Sequence, residues 1–170
     1  MAKPKQATNE EILGEHLPYE LWMLRETDAR LKSPPEDYVL RNALIEAFCI
    51  HARQLLEFFD NKQGKHAKDF TGGNYAAAHL SGLTRSERDK LNTQIAHVTA
   101  KRTINPAEKI GHALRAKLLT ALEREAQHFE GELASEFQGM FRAAVPGQVI
   151  TIGGSPSATN APTYVTTSSK

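Results

Sequence analysis

From Glu36 to about Phe59 the chain carries one uninterrupted amphipathic pattern. Leu40, Leu44, Ala47, Phe48, Leu55, Phe58 and Phe59 fall on one side of a helix turning about 100° per residue, whereas Asn42, Glu46, Arg53 and Glu57 fall on the other. A helix of this length with one apolar stripe must bury that stripe, so it sets the architecture: a central core helix with other helices packed around it. His51 projects from the middle of the stripe, near Leu44, Phe48 and Leu55. It reads as a core histidine hydrogen-bonded to a backbone carbonyl.

The flanking segments carry helical signals of their own. Thr8 or Asn9, ahead of Glu10 and Glu11, caps a short helix that Gly14 and Pro18 limit. Pro18 suits the first turn of the next helix, in which Leu17, Leu21, Leu24 and Leu31 share a face until Ser33-Pro34-Pro35 ends it. Thr84 and Glu87 form a capping box for a helix through Leu91, Ile95 and Val98 to about Arg102 or Thr103. Asn105-Pro106-Ala107-Glu108 supplies a cap, a first-turn proline and a carboxylate for another. Its seam of Ile110, Leu114, Leu118, Leu122, Ala126, Phe129, Leu133, Phe137 and Met140 reaches about Ala144, either spanning the bundle or bending near Gly131. A seam this long leaves surplus apolar length, which fits packing as a homodimer.

The stretch from Asp60 to Leu83 is less regular, with a turn at Thr71-Gly72-Gly73-Asn74 and a short helix expected over Tyr75 to Leu80. The chain of 170 residues supports one domain. The expected fold is all-α, an up-and-down bundle of about four or five main helices over 9–144, between a disordered start at 1–8 and a disordered tail at 145–170. That tail has nine Ser or Thr residues and Lys170 as its sole charge, too little apolar surface to build a core. No apolar run reaches the roughly 18 to 20 residues that a membrane-spanning helix needs. Cys49 is the single cysteine, which excludes an internal disulfide and fits a reducing cytoplasm.

Charge is distributed unevenly. Residues 9–59 hold five basic and ten acidic side chains, residues 60–120 eleven basic and five acidic, and residues 121–144 two basic and five acidic. Such segments either pair with one another or leave the basic middle free to receive phosphates. Candidate phosphate contacts there are Lys62, Lys65 and Lys68 in the irregular stretch and Lys101 and Arg102 further on.

Most catalytic chemistries lack their residues. There is no HExxH, no CxxC and no Gly-x-Ser-x-Gly. Glu125-x-x-His128 occurs once, whereas a four-helix di-iron centre needs two such motifs, so its placement reads as chance on a helix surface. Cys49 and His51, two residues apart, diverge on a helix and cannot act as nucleophile and base. No metal or cofactor is implied. What remains is the face opposite Leu91, Ile95 and Val98, where Lys90, Gln94, His97 and Lys101 gather. A cation and an imidazole there could hold a phosphate and move a proton, or simply face solvent.

The segment Lys90-Leu91-Asn92-Thr93-Gln94-Ile95-Ala96-His97, in an all-α chain of this size, resembles the signature helix of HEPN-domain proteins, whose motif is Arg, four to six residues, then His, often with Asn beside the Arg. The resemblance implies a helical bundle, commonly dimeric, that either cleaves RNA without metal or binds RNA or nucleotides. It implies His97 as general acid or base, Lys90 as stabiliser of the charged phosphorane and Asn92 beside it. Lys90 stands where the motif has Arg, and an ammonium lacks the planar fork that grips two phosphate oxygens. Leu17 to Leu21, Asn42 to Glu46 and His51 to Arg53 also look similar to segments of bacterial proteins of like size. The expected function is therefore RNA or nucleotide binding, with a degenerate ribonuclease as its catalytic form. The alternative is a non-catalytic helical interaction or scaffold protein.

Overall fold

The computed structural model describes residues 6–62, 64–91, 105 and 109–144. The protein is all-α, and no strand occurs among the described residues. Helix α1 (Asn9–Glu11) runs through one π-turn (Ile12–His16) into α2 (Leu17–Lys32). Helix α3 spans Tyr38–Phe59, α4 Arg85–Leu91 and α5 His112–Glu132, with short 3-10 turns at Ala67–Phe70 and Ser135–Phe137.

The start is capped as its sequence requires. Thr8 Oγ1 accepts from Glu11 N–H at 3.1 Å, and Glu11 Oε2 accepts from Thr8 N–H at 2.7 Å. Gly14 and Pro18 do not break the helix, contrary to expectation. Proline has no N–H to give the carbonyl four residues back and crowds it, and the wider π-turn, in which Leu17 N–H bonds Ile12 O, absorbs both defects.

Helices α2 and α3 form the most extensive packed pair. Asp37 opens α3, its carboxylate accepting from Val39 N–H at 2.7 Å and Leu40 N–H at 3.2 Å. Phe48, Ala52, Leu55 and Phe59 are fully buried, as the stripe predicts, together with Leu118, Leu122, Ala126 and Phe129 of α5. Phe129 contacts the rings of Phe58, Phe59, Phe70, Tyr75 and Phe141, which makes it the hub of the core. The stripe is not buried along its whole length: Leu40, near its N-terminal end, is 50% exposed.

Three further expectations are corrected. Tyr75 to Leu80 is not helical. The N–H groups of Ala78 and His79 bond the carboxylate of Glu125 on α5, at 3.2 and 2.6 Å, in place of carbonyls one turn back. Helix α5 does not open at Asn105-Pro106, since Lys109 to Gly111 is non-helical with Ile110 buried, and Gly111 caps it instead. Nor does its seam continue as helix to Ala144. The helix ends at Glu132, just past Gly131, and the chain folds back through Ser135–Phe137 and a positive-φ Gly139. The buried seam of α5 is used within the chain, so it offers no surplus for a second copy. The stretch from Asn92 to Thr103 and the tail from residue 145 lie outside the described residues.

Candidate functional site

A groove of about 830 Å³ lies beside α3, within the size range of ligand pockets. Ile12, Leu17, Ile50, Leu55, Phe58 and Leu91 give it an apolar lining. Its polar groups are His16, Glu20, Glu46, Arg53, Gln54, Glu57 and Lys65.

Glu20 sits one turn into α2 and reaches His51, with Oε2 2.6 Å from Nδ1. The buried His51 thus bonds a carboxylate, not the backbone carbonyl expected for it. Tyr19 packs edge-on against the imidazole at 5.6 Å, and its phenol is pushed above its usual pKa by burial and then by the Glu20 charge. Arg53 Nε donates to Glu57 Oε1 at 2.7 Å, one turn along α3. Cys49 also lines the groove, but burial pushes its thiol up to about 12, against a smaller lowering by Arg115. A thiol held neutral in this way is no nucleophile.

The residues proposed from sequence are only partly assembled here. Lys65 lines the groove, its ammonium 5.9 Å above the Phe70 ring, whereas Lys62 and Lys68 are exposed and line no part of it. Lys62 is paired with Asp60 at 3.0 Å. Lys90 is half-buried on α4, beside Leu91. Asn92, His97, Lys101 and Arg102 lie outside the described residues.

The pairing of the basic middle is the clearer result. Among its described cations, Lys62 and Arg88 meet Asp60, Arg85 meets Asp89, Lys117 meets Glu87 and Arg115 meets Asp28. Arg88 also donates to Leu80 O at 2.6 Å, fastening the irregular stretch to α4. Five of the nine described cations of this segment are thus paired within the chain. A phosphate entering the groove would meet three carboxylates, Glu20, Glu46 and Glu57.

Sequence reasoning missed a second polar centre. Glu125 is fully buried, not on a helix surface, and accepts from Tyr75 Oη as well as from the two backbone N–H groups. The signal was present: Leu118, Leu122, Glu125 and Phe129 are spaced as one helical face, so a charge there is a core charge. Burial first, then the bond to Glu125, raises the Tyr75 phenol far above its usual pKa. His128 stacks on Tyr75 at 5.5 Å and meets His79 edge-on at 5.8 Å. Among the described residues no three His, Cys, Asp or Glu side chains are grouped to hold a metal, and no helix is long and apolar enough to cross a membrane. In comparisons with protein-family models, curated proteins and solved structures, nothing matches this chain.

Proposed function

We propose that the protein is a non-catalytic helical interaction protein. The observation that carries this reading is the uncovered apolar end of α3, where Tyr38 is 76% exposed, Val39 78% and Leu40 50%, with Ile50 at 51% further along. Large apolar side chains concentrated on one helix, beside an open groove, mark a surface that another protein covers. The internal pairing of five cations of the basic middle supports the same reading, because a phosphate backbone would have to compete with their carboxylates.

The HEPN-like, RNA-binding reading rests on Lys90, Asn92 and His97, and among the described residues it retains Lys65, Lys68 and Lys90 as cations without a carboxylate partner. One pair of measurements separates the two. Fluorescence anisotropy with a labelled single-stranded RNA at low salt is expected to show no binding, and Tyr38→Ser and Leu40→Ser are expected to shift unfolding free energy by less than about 0.5 kcal/mol. RNA binding that weakens with salt and is lost in a Lys65→Ala, Lys68→Ala, Lys90→Ala variant would put the RNA reading in its place. Destabilisation by about 2 kcal/mol or more in both α3 variants would show that this end of the helix is covered within the chain, and the interaction reading would fall.

A further inference from the structure

The face of α3 turned away from the core has a regular composition. Val39, Ala43, Glu46, Ile50, Arg53 and Glu57 recur at alternating steps of four and three residues, and they lie nearly opposite Phe48, Ala52, Leu55 and Phe59. This face is apolar at Val39, Ala43 and Ile50 and charged at Glu46, Arg53 and Glu57. Ile50, 51% exposed, stands at its middle. Glu46 and Arg53 stand one turn to either side of it, an acid on one flank and a base on the other.

We propose that this seam pairs α3 with α3 of a second copy, antiparallel, about a twofold axis at Ile50. The inference rests on the interaction reading and names the partner. A twofold interface must be complementary to itself. In an antiparallel pair centred on Ile50, Glu46 of each copy lies against Arg53 of the other, and Ala43 lies opposite Glu57, where its small side chain lets the helices approach. A parallel pair would set Glu46 against Glu46 and Arg53 against Arg53, which like-charge repulsion disfavours. Both groups line the open groove beside α3. Glu46 is exposed and has no partner among the described residues. Arg53 uses Nε on its own Glu57 at 2.7 Å, which leaves the Nη groups of the fork for a second carboxylate. Nothing in this pairing draws on α5, whose seam is already buried.

The test is a charge-swap cycle on the full chain, with mass measured by light scattering across a concentration series. Wild type is expected to form a dimer. Glu46→Arg and Arg53→Glu, each alone, should weaken it by about tenfold or more, as like charges then face each other. The double variant Glu46→Arg, Arg53→Glu should restore it, because the pair is merely exchanged. Ile50→Asp should weaken it without rescue, and circular-dichroism melting checks that each variant remains folded. A wild type that stays monomeric throughout, a dimer indifferent to the single swaps, or a double variant no better than the singles would overturn the proposal. None of these outcomes touches the Tyr38 and Leu40 measurement, so the interaction reading stands or falls separately.

Discussion

Arg115 of α5 reaches Asp28 of α2 across the bundle, with Nε 3.4 Å from Oδ1, and both side chains are almost entirely buried. This pair joins the basic middle to the acidic first third inside the core. Lys32 adds a second, more exposed cation 3.6 Å from Asp28. Two buried charges do not make a fold stable on their own, since each loses its hydration, but leaving one without the other is expensive. Arg115→Met should therefore destabilise the protein by about 3 kcal/mol, and adding Asp28→Leu should recover most of that loss. Urea unfolding of the two variants measures both numbers. A single substitution costing under about 0.5 kcal/mol would mean that solvent already reaches Asp28.

Glu125 holds the irregular stretch to α5 through three donors, Tyr75 Oη and the N–H groups of Ala78 and His79. Glu125→Ala would strand all three and should cost about 3 kcal/mol or more, whereas Tyr75→Phe, which removes one donor and leaves the backbone bonds, should cost about 1.5 to 3 kcal/mol. Hydrogen exchange at Ala78 and His79 gives a local readout. It should accelerate strongly in Glu125→Ala and only modestly in Tyr75→Phe, and equal protection in both would contradict the arrangement.

The elements whose periodicity is decided locally were legible in the sequence: the phase of α3 from Phe48 to Phe59, a cap at Thr8 or Asn9, the Thr84 capping box, the end of α2. What escaped was decided by partners distant in sequence. Leu40 belongs to the stripe by phase, yet periodicity cannot say how far the neighbouring helices extend. Asp28, Arg115 and Glu125 all occupy apolar register positions among leucines and phenylalanines, and the charge of Glu125, read alone, suggested surface. Tyr75 to Leu80 has fair helical propensity, but a carboxylate some fifty residues later takes its N–H groups. Similarly, the cap signal at Asn105-Pro106 does not mark the start of α5, which Gly111 caps instead. The groove was unreadable because its walls come from four segments.

Cys49 offers a probe of that groove. Cys49 is 1% exposed, and burial pushes its thiol pKa up to about 12, so at neutral pH almost no thiolate is present to react. Ellman's reagent should label the native protein only as fast as it opens, and the labelling rate should rise with urea in step with unfolding. Rapid stoichiometric labelling without denaturant would show that the groove admits reagent down to α3.

Acid sensitivity should centre on Glu87. Its carboxylate takes both Lys117 Nζ contacts, at 2.7 and 2.8 Å, and the Thr84 N–H at 2.8 Å. These bonds, Lys117 first, hold its pKa at about 2, below the ordinary 4.5. Glu130 shifts in the same direction, through the Ala143 N–H and then Arg142. A depressed folded-state pKa contributes stability that is complete above the unfolded value. As pH falls below about 4.5 the unfolded chain takes up the proton first, and the contribution is lost progressively down to about 2, where both states are protonated. Glu87→Gln, which has no proton to gain, should therefore be less stable than wild type at pH 6 and approach it as the pH drops through that window. Lys117→Met should reproduce most of the effect. Urea midpoints measured at half-unit pH steps decide the matter: a gap between wild type and Glu87→Gln that stays constant from neutral pH to about pH 2 would mean that the carboxylate's charge contributes nothing to the fold.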